Sequence, residues 1–345
     1  MDYEVTIGIP LYNAERFIRR SLESALAQTF TSIEYLIVDD CSTDHSIDIV
    51  REIQTTHRRG TDIRIVRQPH NMGVGSARNR IIDEAHSSYI FFMDSDDIIT
   101  PDAISIMHSR ATHSNAQMVY GSYEKTTGET QYDRTTERHI YPDINLSGDD
   151  KPAEFAVSSY FRLQGAVWNC LFSKAFLQDT GTRFPPACYG EDTVFTYILI
   201  TQATRVVLCS DVTYYYICRE GSLSNYQSRG NIAKAEVLRN VATAAILKEY
   251  TARLSRKSYL GNWCYMTAMT DFYMICSAIS KKDVITPRFS STELRDIMTH
   301  PLTLKNIMQL KTARIKNIAL YALSKMPPML FTYIISITGK RKGLI

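Results

Sequence analysis

The sequence predicts an α/β protein with a mostly parallel sheet and an appended helical region, on three observations. Short apolar runs alternate with amphipathic stretches over the first 125 residues, the pattern of strands covered by helices. Polar, turn-forming residues close each run, and from Asn231 onward the apolar spacing becomes helical with no further strand-turn-strand pattern. At 345 residues the chain exceeds one typical domain. Its 44% hydrophobic and 22% charged residues are the balance of a folded protein. The expected division is a sheet domain over 1–229 and a helical region over 230–345.

Val5 to Ile9 reads as the first strand. Asn13 follows where a helix cap is needed, and Phe17, Ile18, Leu22, Ala25 and Leu26 recur at helical spacing. Ile33 to Val38 is the second strand, ended by Asp39-Asp40-Cys41-Ser42-Thr43-Asp44, which can turn and cap a helix carrying Ile47, Val50 and Ile53. Ile63 to Val66 is a short third strand. Gly73 and Gly75 open a helix with Ala77, Ile81, Ile82 and Ala85 inward, Tyr89 to Met93 is the fourth strand, and Met118 to Tyr123 is a fifth. Residues 124 to 150 are polar and turn-rich, a hairpin or a mobile loop. Ala233, Val237, Val241, Ala244 and Ile246 begin the helical region.

Composition narrows the partners. A net charge of +3 with scattered basic residues does not fit nucleic acid. Met1 to Pro10 has no basic start or long apolar run, so the expected location is the cytosol. Seven cysteines without a C-x-x-C pair fit reduced, mostly buried thiols. Beyond Asp296 the chain holds no acidic residue but carries Lys305, Lys311, Arg314, Lys316, Lys325, Lys340, Arg341 and Lys342. The apolar stretch Met326 to Ile337 is short of the roughly 20 residues that cross a bilayer. Two expectations stay open for this tail: peripheral contact with an anionic membrane surface, at the inner face of the cell membrane, or a core or homodimer helix with a solvated basic face.

In an open parallel sheet, ligands bind beyond the carboxyl ends of the strands. There the sequence places Pro10-Leu11-Tyr12-Asn13-Ala14-Glu15, Asp39-Asp40 and Asp94-Ser95-Asp96-Asp97. Five aspartates at one rim would repel one another and bind protons more tightly unless a cation shares the space. Magnesium or manganese suits them, since hard divalent cations take carboxylate oxygens and leave positions for water or phosphate. Taken singly, each acidic run is equally a solvated turn or a helix cap.

In order and spacing these motifs, with Val38-Asp39-Asp40-Cys41-Ser42-Thr43-Asp44 and with Asn71-Met72-Gly73 and Ala77-Arg78-Asn79, resemble family 2 glycosyltransferases of the GT-A fold over about residues 3 to 225. The resemblance implies a Rossmann-like, mostly parallel nucleotide-diphospho-sugar transferase sheet. It also implies an inverting transfer from a nucleotide-diphosphate donor, a UDP-sugar, to an acceptor hydroxyl on a lipid-linked or growing surface polysaccharide. By it Pro10, Tyr12 and Glu15 line the nucleotide pocket, and Asp40 accepts the imide N–H of a uracil or thymine. Arg78 lies near the donor, or else partners the aspartates. Asp94 lies near the ribose or donor sugar, and Asp96 on the manganese or magnesium ion.

Trp168-Asn169-Cys170-Leu171-Phe172, Arg183-Phe184 and Gly190-Glu191-Asp192 are similar to the family's acceptor half, with Trp168 and Glu191 on the acceptor side and Asp192 as catalytic base. A bare helix start, with its acids favoured by the dipole, remains open for Glu191 and Asp192. Tyr214 to Ser222 is similar to the segment that closes over the donor, with Arg219 for the diphosphate. Cys170 and Ile217 stand where many relatives have a lysine and a basic residue. Two other functions stay open: a non-catalytic nucleotide-sugar-binding module of the same fold, and a glycoside hydrolase pairing Asp96 with Asp192. A nicotinamide dehydrogenase is excluded, because the first strand runs into Ile9-Pro10-Leu11-Tyr12-Asn13 without the glycine-rich turn.

Overall fold

Strands buried on both faces read as unbroken apolar runs because helices cover the sheet. Accordingly β1 (Val5–Leu11) and β2 (Ile33–Asp39) are buried at every position in the computed structural model, which describes residues 3–127, 134–158, 163–186, 189–218 and 230–345. Around them run α1 (Ile18–Leu26), α2 (Ser46–Thr56), β3 (Ile63–Arg67), α3 (Val74–Glu84) and β4 (Tyr89–Phe92), in the expected alternation. There follow β5 (Ile98–Ile99), α4 (Ala103–Ser114), β6 (Met118–Thr127), β7 (Arg134–His139), β8 (Ile144–Ser147), α5 (Lys151–Val157), β9 (Cys170–Ser173), α6 (Lys174–Thr180), α7 (Glu191–Ile200) and β10 (Arg205–Cys218). The remainder comprises β11 (Ile232–Ala233), α8 (Lys234–Tyr250), α9 (Leu260–Ser280), β12 (Ile285–Thr286), α10 (Ser291–Ile297), α11 (Leu304–Met308), α12 (Arg314–Ser324) and α13 (Pro328–Arg341).

The main sheet runs β3-β2-β1-β4-β9-β6-β10-β5, with β7 beside β6 and β8 beside β10. β3, β2, β1 and β4 are parallel. Beyond them the sheet is mixed: β9 is antiparallel to β4 and β6, while β10 is parallel to β6 and antiparallel to β5 and β8. The polar segment after Tyr123 forms the β6–β7 hairpin and β8. Asn13 does not cap α1. It adopts a left-handed φ of 48°, and its side-chain oxygen accepts from Thr43 N at 2.8 Å, tying the β1 loop to the β2 loop. The first turn of α1 starts only at Ile18, after a non-helical turn.

The chain divides into two units, though not at one cut. The sheet unit comprises Met1–Pro152, Ala166–Pro186 and Gln202–Glu220, and the helical unit comprises Ala153–Gly165, Ala187–Thr201 and Gly221–Ile345. Segments carrying α5 and α7 thus belong with the helical unit rather than with the sheet. In the sheet unit the core joins Val5, Ile7, Ile9, Leu22, Ile37, Phe91, Met93 and Val119 with helix residues such as Ile104 and Met107. In the helical unit Phe272, Ile275, Ile285, Leu294, Phe331 and Ile335 share one cluster, and Lys248 ion-pairs with Asp271, which is 1% exposed. No helix of the described residues is long and apolar enough to cross a membrane.

Candidate functional site

Three loops leave the carboxyl ends of the parallel strands, and each is held by its own polar residues. After β2, Asp40 is 3% exposed. It accepts from the backbone amides of Met72 and Gly73, at 2.8 Å each, and from Gln68 Nε2 at 3.3 Å. Gly73 has φ 87°, a conformation that disfavours side chains, so the turn into α3 can present both amides to one carboxylate. Asp39 is fully buried, accepts from Ser42 N at 2.9 Å and faces Arg67 at 3.3 Å.

Glu15 caps the start of α2, taking His45 N at 3.0 Å, while its own amide donates to Asp44 at 3.0 Å. Burial alone would raise the Asp44 carboxyl, yet hydrogen bonds from Ser46 and from the Glu15 amide hold it below its ordinary range. Pro10 is buried in β1, paired with Val38, and Tyr12 is 48% exposed just beyond it.

The third loop follows β4. The carboxylate oxygens of Asp94, Asp96 and Asp97 lie within 4.8 Å of one another. Ser21 Oγ donates to Asp94 O at 3.2 Å and Arg20 Nη2 to Asp96 O at 2.8 Å, so α1 holds the turn by its backbone. Arg78, 5% exposed along its side chain, meets Asp94 Oδ1 at 2.8 Å and lies 5.7 Å over the Phe184 ring. Of its two expected roles, the geometry displays the partner of an aspartate. Asn79 exchanges two 2.9 Å hydrogen bonds with the Phe184 backbone.

Asp97 is a residue that sequence reasoning passed over as a separate actor. It is 1% exposed, taking Tyr214 Oη at 2.7 Å on one oxygen and Ile217 N at 2.8 Å on the other. Tyr214 Oη in turn accepts from Asp94 N at 3.3 Å. Burial, then the charges of Asp96 and Asp94, push the Asp97 carboxyl well above the ordinary range. Three crowded carboxylates of this kind, all hard oxygen donors, are what a divalent cation relieves. The sequence signal for Asp97 was its place as the last residue of the D-S-D-D turn. Tyr214 had no such marker.

Trp168 forms an isolated parallel bridge with Phe92 at the end of β4. It is 8% exposed, stacked on Tyr214 at 4.9 Å and on Tyr216 at 5.4 Å, with Tyr123 edge-on at 4.8 Å. At least two of the three consecutive tyrosines therefore pack against the strand neighbour. Cys170 is buried in β9 and its thiol is pushed up by that burial. Asn169, fully buried, donates to the carbonyls of Gly121 and Ser122 and accepts from Thr213 Oγ1 at 2.6 Å. A side chain at Gly121 would come within 2.0 Å of that same Thr213 hydroxyl.

Glu191 and Asp192 occupy the first turn of α7, in the helical unit. Gly190, φ 82°, precedes them as the cap, and Asp192 Oδ1 accepts from Thr193 N at 2.7 Å. Glu191 is 9% exposed and Asp192 is half-buried. Arg219 lies outside the described residues.

Residues 6–169 match the family model described as glycosyl transferase family 2. The chain is 30% identical over 227 residues to the succinoglycan biosynthesis protein ExoO of Rhizobium meliloti, covering 64% of this chain and 62% of that protein. It is 29% identical over 233 residues to a putative glycosyltransferase, EpsH, of Bacillus subtilis, covering 65% and 64%. The chain thus spans less than two thirds of the length of each of these two relatives. Among solved structures, S. aureus TarS 1–349 in complex with UDP-GlcNAc aligns with a TM-score of 0.54 at 19% identity, over 99% of this chain and 92% of that one. The mannosyltransferase PcManGT of Pyrobaculum calidifontis, in complex with GDP-Man and Mn2+, aligns with a TM-score of 0.51 at 16% identity, over 98% and 87%. At these identities the structural likeness speaks to the fold, and both neighbours share it.

Proposed function

We propose that this chain, whose residues 6–169 match the model of glycosyl transferase family 2, is an inverting, metal-dependent glycosyltransferase that moves a sugar from a UDP-sugar onto an acceptor hydroxyl. The observation that carries this reading is the trio Asp94, Asp96 and Asp97, oxygens within 4.8 Å, at the carboxyl end of the fourth parallel strand. The neighbours PcManGT, in complex with GDP-Man and Mn2+, and TarS 1–349, in complex with UDP-GlcNAc, support a nucleotide-sugar donor and a cation. A polysaccharide relative such as ExoO supports a growing or lipid-linked saccharide as the acceptor.

The residues divide the work as follows. Asp96 would hold manganese or magnesium, whose part would be to neutralise the charge developing on the departing diphosphate, with Asp94 beside it near the ribose or donor sugar. Asp97, both oxygens already engaged by Tyr214 and Ile217, holds the turn in shape. Asp40 has about four lone-pair directions and spends three on Gln68, Met72 and Gly73. The remaining one on Oδ2 is proposed to accept the uracil imide N–H. Pro10 and Tyr12 flank the base, Glu15 shapes that loop through α2, and Arg78 orients Asp94 through their 2.8 Å ion pair. Arg219 is proposed for the diphosphate, Trp168 underlies the acceptor side, and Glu191 orients the base.

Asp192 is proposed as that base, taking the acceptor proton as the hydroxyl attacks, a contribution on the order of 10²- to 10⁴-fold. Calorimetric titration of UDP-sugars tests the whole reading. Binding is expected to require manganese or magnesium and to vanish in Asp96→Ala. Undiminished metal-dependent binding in that variant would remove the aspartate trio from donor recognition. Donor binding without transfer or slow donor hydrolysis would leave a sugar-nucleotide-binding module.

A further inference from the structure

Helix α13 carries large apolar side chains on both of its faces. Phe331, Ile335 and Gly339 are buried, yet Met329 is 82% exposed, Tyr333 64%, Leu330 47% and Ile337 38%. These four fall at i, i+1, i+4 and i+8 from Met329, a single stripe on the helical repeat. Exposed Lys340 and Arg341 prolong that stripe into the last turn. On α12, Ile315 is 82% exposed between exposed Arg314 and Lys316. Single exposed apolar residues need no explanation, but a continuous row of them marks a contact surface.

Charge selects the partner. Beyond Asp296 no acid occurs in the sequence, and Lys305, Lys311, Arg314, Lys316, Lys325, Lys340, Arg341 and Lys342 are all exposed. We propose that the outer face of α13 docks on an anionic lipid bilayer. Met329, Leu330 and Ile337 enter the boundary between headgroups and acyl chains. Tyr333 sits at headgroup level, as amphipathic aromatics do, and Lys340 and Arg341 reach the lipid phosphates. With 14 residues the helix is about 21 Å long, short of the ~30 Å hydrocarbon core, so it lies along the surface. A second copy is the poorer occupant. A two-fold interface would bring together two identical patches carrying only positive charge, with no acid nearby in sequence to pair with either.

Sedimentation of the full chain with vesicles tests this without reference to sugar transfer. Vesicles of phosphatidylcholine and phosphatidylglycerol are expected to bind roughly tenfold more protein, or better, than phosphatidylcholine alone, and rising salt should release it. Leu330→Asp with Tyr333→Asp, and separately Lys340→Glu with Arg341→Glu, should each abolish binding. All four positions are exposed, so both variants should keep the parent's thermal midpoint. Equal partition into both vesicle types would overturn the proposal, and so would the absence of vesicle binding. A concentration-dependent dimer in light scattering that Leu330→Asp dissolves would assign the face to self-association instead.

Discussion

At the scale of single residues, the metal turn is governed by what lies behind it. Tyr214 Oη links Asp94 N to Asp97 Oδ2 through two hydrogen bonds, the one to Asp97 fully buried. Tyr214→Phe fills the same space but strands a buried acceptor, at roughly 1–3 kcal/mol. It should lower the thermal midpoint and weaken manganese-dependent donor binding several-fold. A fall in stability with unchanged donor affinity would make the tyrosine merely structural. Asp192→Asn belongs to the same scale. Donor binding should persist while turnover falls by roughly 10²-fold or more, and near-normal turnover would remove the residue from the mechanism. The acidic turn was legible because a buried run, Ile90 to Met93, ends abruptly in D-S-D-D. Its support by Tyr214 was not legible, because no local pattern tells which of three adjacent tyrosines meets a loop more than a hundred residues earlier in the chain.

At the scale of elements, β2 contains a charge inside an otherwise apolar run. Glu34, 2% exposed, accepts from Thr6 Oγ1 at 2.7 Å, Arg64 Nε at 2.8 Å and His86 N at 3.0 Å, joining β1, β3 and the end of α3 across β2. Burial alone would raise this carboxyl, but these bonds outweigh it and hold its pKa below 4.5. A folded-state pKa lowered in this way stabilises the sheet above pH 4.5, and the contribution is lost as pH falls through the folded value. Thermal midpoints of the parent should therefore drop on acidification more steeply than those of Glu34→Gln, which starts lower by roughly 1.5–3 kcal/mol. Parallel profiles would mean that the carboxylate contributes nothing specific.

The parallel half of the sheet was readable from its apolar runs. β9 was not, since four residues running straight into a helix carry no periodicity. β10 escaped for a different reason, its pairing with β6 being broken by register shifts between Leu208 and Tyr214.

At the scale of the whole molecule, the two units interleave in sequence, and that sets where the chain can be cut. The periodicity change at Asn231 suggested a boundary at 229/230, because pattern alone reports what each segment is and not which core it joins. Instead 153–165 and 187–201 cluster with the helical unit. There Tyr197 Oη donates to Leu163 O at 2.9 Å and Thr243 Oγ1 donates to Tyr189 O. Both bonds bind the two inserts to each other or to α8.

A chain ending at 229 keeps α7 but removes α8. Val194, Phe195, Leu199 and Ile200 are each at most 2% exposed, and complete burial of four such side chains is worth roughly 6–12 kcal/mol, comparable with the full stability of a domain. Even half of that loss would unfold the insert. Residues 1–229 are therefore expected to aggregate or to be cleaved by protease within 187–201, and to turn over no donor, while the intact chain resists cleavage there. A soluble, protease-resistant fragment that binds UDP-sugar with manganese would show the sheet unit to be self-sufficient. It would also return α7 and its Asp192 to the sheet.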